Sequence, residues 1–293
     1  MTSQITTAFV QQYSANVAML VQQMDARLPA FVRTESVTGE FAYFDQIGRA
    51  EAIERVTRHG DTPLVETPHS RRQVALRSFE WADLIDRQDL VRTLINPESQ
   101  YARAAAAAMQ RKMDDVLIEA ATGTARTGKT GSTSTSLPAG QQVAVDYVES
   151  GSAANSGMTI AKLRRAKTIL DEDEVDNEDR FVVFSARQAQ DLLRTTEVTS
   201  SDFNTVRALV AGEVDTFLGF KFIRSERLGT SSGHRRCFAY QRQGLLLAIG
   251  QAPQARITER SDKSYSTQVY YSMDIGATRM EEERVVQILC AEA

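Results

Sequence analysis

Cysteine, histidine and lysine are scarce in this chain of 293 residues, and each scarcity removes a class of function. The two cysteines, Cys237 and Cys290, lie far apart with no CxxC pair, so neither a disulfide framework nor a zinc ribbon is expected. Three histidines (His59, His69 and His234) leave little for metal chemistry. His234-Arg-Arg-Cys237 could form half a metal site, but the other half is missing. No apolar run approaches the ~20 residues of a membrane-spanning helix. Met1 to Val10 also lacks the basic and apolar regions of a secretory leader, so a soluble intracellular product is expected. The formal net charge of −4 argues against a dedicated nucleic-acid binder.

What is present is ordinary in bulk and uneven in detail. Hydrophobic residues make up 42% and charged residues 25%, as in a folded globular chain with one large domain or two small ones. The basic residues divide as 28 arginines against 6 lysines. Residues 2–28 read as an amphipathic helical arm, with Val10, Tyr13, Val17, Leu20, Val21, Met24 and Leu28 forming a narrow apolar stripe that stops at Pro29. Glu40 to Asp45 alternates like a strand, and Arg71 to Phe79 does so again after the turn-rich stretch Gly60 to His69. Together they predict a long hairpin too polar to bury either face, and therefore held by a partner subunit. Asn96-Pro97 predicts a helix start, followed by a long helix from Glu98 to Thr122 with Ala104 to Ala108 at its centre. A Gly/Ser/Thr-rich loop is expected from Thr122 to Gly157, broken by a strand from Val143 to Val148. Mixed α/β follows. Helices are expected over 159–171, 186–194 and 204–211, and strands over 181–184, 237–240 and 245–249. Closing strands are expected over 266–272 and 284–290.

One motif invites chemistry. Gly123-Thr-Ala-Arg-Thr-Gly128-Lys129-Thr130 fits the phosphate-binding pattern G-x-x-x-x-G-K-[ST]. A working phosphate loop follows a buried strand and opens a helix, because backbone N–H groups must converge on the phosphates. Here a helix precedes it and Gly-Ser-Thr-Ser-Thr-Ser follows, so no nucleotide site is expected. No G-x-S-x-G elbow is present and no histidine sits beside a nucleophile. Asp171 to Glu174 reads as a solvated helix end. No enzyme activity, metal or cofactor is expected.

The order of elements carries a resemblance. Ser36 to Glu40, Phe44 to Gly48, His59 to Pro63, Thr67 to Arg72, Glu80 to Asp86, Gly212 to Arg224 and Asp274 to Arg279 with Val285 to Ile288 resemble segments of tailed-bacteriophage major capsid proteins. These have the Hong Kong 97-type shell fold. The resemblance implies an α+β chain with an N-terminal arm (1–38), an extended hairpin and its base (39–95), a peripheral domain with a long spine helix (96–156), an axial α/β domain (157–254) and closing strands (255–293).

It further implies self-assembly into hexameric and pentameric capsomers of an icosahedral virion shell, assembled in the bacterial cytoplasm with no membrane involved. The implied partners are a portal protein, weakly bound double-stranded DNA and, in some members, decoration proteins. A separate scaffolding protein is expected, since the arm begins at once and the hairpin starts near residue 39. Arg49, Arg55, Arg58, Arg71, Arg72 and Arg77 are expected to pair with carboxylates of an adjacent subunit. Phe79 and Trp81 should anchor the hairpin base, and Val17 and Met24 should pack the arm on a neighbour. Some relatives cross-link through a hairpin lysine; none of the six lysines here falls between residues 39 and 95, so a non-covalent head is expected. An encapsulin-like compartment shell is the alternative of the same fold, and a P-loop ATPase the distant one.

Overall fold

A computed structural model describes residues 22–55, 58, 62, 64–85, 98–194 and 216–292. Most of the expected arm, including Val17, lies outside these residues, as do the Asn96-Pro97 start and the helix expected over 204–211. In chain order the described strands and helices are β1 (Arg33–Ser36), β2 (Phe41–Ile47), β3 (His69–Ala75), β4 (Arg77–Ile85), α1 (Glu98–Thr122), β5 (Ala125–Thr127), β6 (Thr133–Thr135) and β7 (Gln142–Val143). Then come α2 (Ile160–Glu172), β8 (Arg180–Phe184), α3 (Ala186–Arg194), β9 (Thr216–Phe217), β10 (Phe220–Arg224) and β11 (Thr230–Ser231). The chain closes with β12 (His234–Gln241), β13 (Leu245–Arg260), β14 (Ser266–Arg279) and β15 (Val285–Ala291).

Two compact units divide the chain. The smaller takes Ser78–Arg111 and Gln251–Met273 with the N-terminal Met1–Ala26, and the larger takes the rest. The core of the larger unit is a seven-stranded mixed sheet ordered β7-β15-β12-β8-β10-β9, with β11 paired to β12. Its central strand β8, Arg-Phe-Val-Val-Phe, is buried at every position, so an uninterrupted apolar run is what the site demands. A second sheet, β2-β3-β5-β6, is antiparallel throughout.

Several expectations change here. Residues 22–28 are not helical: the backbone N–H groups of Arg27 and Leu28 donate to the buried Asp114 carboxylate at 3.0 Å, in place of continuing a helix. The polar hairpin is real, with Phe41 opposite Ala75 and Ile47 opposite His69, but β5 and β6 of the same chain extend it into a sheet. Arg72 and Val74 on its inner face are buried, so that face needs no partner subunit. The run from Arg71 to Phe79 is two strands. It breaks at Leu76, and β4 pairs with β14 in a different sheet. The Gly/Ser/Thr stretch is not a plain loop, since β5 and β6 form a hairpin closed by Gly128 and Gly131. Gly131 has φ +68° and a Cβ there would meet the Gln73 side chain at 1.9 Å, so only glycine serves. The strand expected over 143–148 shrinks to Gln142–Val143.

Buried cations close the ends of the elements. Thr159 caps α2 by accepting from the Lys162 N–H, and the Lys162 side chain then runs inward to full burial. Its Nζ donates to the carbonyls of Val145 (2.8 Å), Ser156 (2.7 Å), Gly157 (3.0 Å) and Leu289 (2.9 Å). Burial pushes its ammonium downward from the ordinary lysine range, with Cys290, Cys237, Asp146 and Asp191 acting the other way. Arg279, also fully buried, donates to the carbonyls of Ala121 (3.2 Å), Gly123 (2.8 Å) and Thr135 (3.2 Å), closing the end of α1. At the last residues, Arg235 makes a bidentate pair with Glu292 at 2.7 and 3.0 Å. Hydrogen bonding from Arg235 holds the Glu292 carboxyl below its ordinary value.

Three outcomes follow from this architecture. Replacing Lys162 by Met leaves four inward-facing carbonyls without their donor and should cost about 3 kcal/mol or more in denaturant unfolding. The Glu292 contribution is present above the ordinary glutamate value of 4.5 and is lost as pH falls below it, because the folded state binds that proton less readily than the unfolded chain. The stability difference between wild type and Glu292→Gln should therefore vanish on acidification; a difference that persists at pH 2 would contradict this. Because 123–130 is a helix end followed by a hairpin, magnesium ATP should leave the melting temperature of the protein unchanged.

Candidate assembly interface

The alternation of β2 and β3 gives the second sheet two different faces. Even residues of β3, Ser70 and Arg72, point one way; His69, Arg71 and Gln73 point the other. On the outer face Phe41 and Tyr43 are 45% and 43% exposed, and Ile47 is 72% exposed. Asp45 lies opposite Arg71 and bonds it through both oxygens, at 2.5 and 3.1 Å, which holds its carboxyl below the usual range. The Arg71 guanidinium also stands 5.7 Å from the Tyr43 ring centroid. This face is ordered by its own chain yet open to solvent.

Between β2 and β3 runs the segment that carries Ile53, Leu64 and Val65, which are 57%, 94% and 44% exposed. Apolar side chains so exposed along one connection are a candidate contact surface. Sequence reasoning emphasised the charges here and missed these residues. The available signal was Leu64-Val65 standing between Pro63 and Pro68, where neither helix nor paired strand can bury them.

The expected contact residues fall into different settings. Arg49 is exposed and bonds the Asp173 carbonyl at 2.6 Å and Glu174 at 3.3 Å. Arg55 and Arg58 are exposed, and Arg55 donates to the Arg58 carbonyl at 3.2 Å. Arg72 is 7% exposed and bonds the Met280 carbonyl (2.7 Å) and Glu282. Arg77 pairs with Glu119 at 2.9 Å. Four of the six arginines thus find carboxylates inside their own chain. Phe79 and Trp81 are half-buried on β4. Met24 is 42% exposed. The structure brings Arg49 and Arg72 together in one cleft, while Arg71 lies on the other face of β3.

Beside the hairpin lies a cleft of about 840 Å³, bounded by Gly48 and Arg49, the end of α2 and the turn between β14 and β15. It is lined by Glu172, Asp173, Glu174 and Glu281 to Glu283, with Arg49, Arg72 and Arg284 among them. Among the described residues no cluster of His, Cys, Asp and Glu is arranged to hold a metal ion, and no helix is long and apolar enough to cross a membrane.

Comparison with known proteins gives a consistent answer. A family model described as "Phage capsid protein" matches residues 5–292. No curated protein matches the chain. Among solved structures, the capsid of the cyanophage P-SCSP1u superposes with a TM-score of 0.74 at 17% identity, covering 99% of this chain and 95% of that one. The capsid of Ralstonia phage GP4 gives 0.73 at 14% identity over 97% and 95%. Mycobacterium phage Che8 gives 0.66 at 17% identity over 95% and 96%. The fold of these structures and the family match over almost the whole length agree, and the chain belongs to the phage capsid protein family as a tailed-bacteriophage major capsid protein of the Hong Kong 97-type fold.

Proposed function

We propose that this chain builds its icosahedral head without covalent cross-links, through contacts made by the exposed connection between β2 and β3. Self-assembly into the virion shell, a structural and non-catalytic role, is the property of the family. The observation that carries the non-covalent reading is the absence of any lysine between residues 39 and 95. Arginine cannot replace it as an amine nucleophile, because the guanidinium stays protonated. In this reading residues 39–95 form the extended hairpin, 96–156 the peripheral region with α1 as spine, 157–254 the axial region and 255–293 the return, while 1–38 is an arm that includes Val17 and Met24. Arg49, Arg55 and Arg58 supply cationic contacts beside the apolar Ile53, Leu64 and Val65.

The subunits form hexameric and pentameric capsomers in the host cytoplasm with a separate scaffolding protein and a portal protein. The shell encloses double-stranded DNA that it binds weakly and without sequence preference, in keeping with the net charge of −4. Mature particles boiled in SDS should release one band near 32.5 kDa. A ladder of higher covalent species from the same particles would refute the non-covalent reading.

A further inference from the structure

The lysine of the phosphate-loop-like motif lies on a hairpin turn and not at a helix start, and its setting points elsewhere. Lys129 sits exposed at the turn of the β5–β6 hairpin. That turn is stiff. The Gly128 N–H donates to the Arg71 carbonyl at 3.2 Å, the Gly131 N–H to the Gly128 carbonyl at 3.1 Å, and the Thr127 hydroxyl to the Arg71 carbonyl at 2.9 Å. Lys129 borders one shallow depression with His69 and the Arg71–Asp45 pair, and Arg126 is exposed on the adjoining strand, so the positive charge left at this knob-like tip is that of Lys129 and Arg126. No ion pair engages Lys129 among the described residues.

The cleft on the other face of β3 has the opposite character. Within it Arg49 is paired with Glu174, Arg284 with Glu281 and Arg72 with Glu282, while Glu283 is exposed and stands outside these pairs. Six acidic side chains line it against three arginines, and with Arg165 on Glu172 and Arg279 on Glu282 counted as well the cleft stays slightly negative. A second observation marks it as a place where something binds. Arg72 is 7% exposed, yet its Nη1 is buried with no hydrogen-bond partner. A buried guanidinium N–H without an acceptor is costly, and a main-chain carbonyl in the cleft would satisfy it once the Arg72 side chain shifts to present that nitrogen.

We infer that the Lys129 turn of one copy docks in the acidic cleft of a second copy, with Lys129 against Glu283 and a turn carbonyl on Arg72. The inference rests on the self-assembly reading and names the chemistry of one contact within it. Knob and cleft lie on opposite faces of the same hairpin, Arg71 bordering one and Arg72 the other, so a chain cannot close the pair upon itself. The contact is heterologous: each copy offers a knob to one neighbour and a cleft to the other, which is the geometry that generates rings. Charge complementarity of this kind also steers encounter and sets register.

Charge reversal tests the pairing directly. Lys129 and Glu283 are both exposed, so Lys129→Glu and Glu283→Lys should fold with unchanged melting curves. Each single variant should need about a ten-fold higher subunit concentration to assemble, followed by light scattering and negative-stain microscopy at physiological salt. The double variant K129E/E283K restores the opposite signs across the contact and should assemble near the wild-type concentration. Single variants that assemble like wild type, or a double variant no better than either single, would overturn the inference while leaving self-assembly intact. A wild-type chain that forms neither capsomers nor shells in the same assay would overturn the assembly reading, and this inference with it.

Discussion

Buried cations that satisfy backbone carbonyls are the constraint on which the larger unit depends. The connection from β7 to α2 is poor in apolar side chains, and its carbonyls turn inward where water is excluded. Leaving them unpaired would cost a large fraction of the fold's net stability. Lys162 gathers four of them, three from residues 145–157 and one from β15, so the connection is tied to the last strand. Arg279 does the same for the end of α1 and for β6. Arg180, 2% exposed, bonds the Asp176 carbonyl at 2.9 Å and Asp171 at 2.6 Å where α2 gives way to β8. A cage of four carbonyls uses all three donors of a charged amine, one of them shared between two acceptors. A planar guanidinium suits the splayed carbonyls at a helix end. Burial disfavours both charges, and the carbonyls compensate them.

Much of this was legible in the chain, and the limits have physical causes. Helix α1 was plain because its stripe is long and the Gly123 stop is unambiguous. Helix α3 and the buried β8 were equally clear, since a short apolar run bounded by an N-terminal Arg and Ser185 admits few readings. The long ribbon of β13 and β14 was seen only in part, at 245–249 and 266–272. Beyond Ile249 β13 is polar and mostly exposed, and the end of β14, though largely buried, mixes Asp274, Gly276, Thr278 and Arg279 among its apolar residues. The short strands β5 and β6 were invisible for another reason. Ala-Arg-Thr and Thr-Ser-Thr have no apolar period, and their strand character comes from pairing with β3 and with each other. Residues 22–28 carried a helical stripe, but Asp114, distant in sequence, claims the N–H groups of Arg27 and Leu28 at its end.

The interface was harder to read than the fold. Arginine identity alone does not distinguish a contact to a neighbour from a brace within the chain. Arg71 and Arg72 are adjacent, yet one lies on an open face against Asp45 and the other is buried against Glu282. Only the period of two along β3 separates them, and that period is informative once it is known which face the body covers. Arg77, two residues past β3's end, belongs to a different strand and pairs with α1 at Glu119. The abundance of arginine therefore reflects internal bracing as much as association.

That division explains the scarcity of lysine as well. Internal braces at splayed carbonyls and carboxylates call for a planar, weakly hydrated group, and arginine fills nearly all of them. Lysine remains where a compact charge is wanted. Lys162 occupies a closed cage, and Lys221 pairs with Asp179 while standing 5.7 Å from the Phe181 ring. Lys129 fits neither pattern: it is solvated and held out on a stiff turn. A strongly hydrated point charge at a tip gives up water reluctantly, so it makes contacts that remain reversible and sensitive to salt. Reversible contacts suit a shell protein, because misplaced subunits must be able to leave before the closed surface forms.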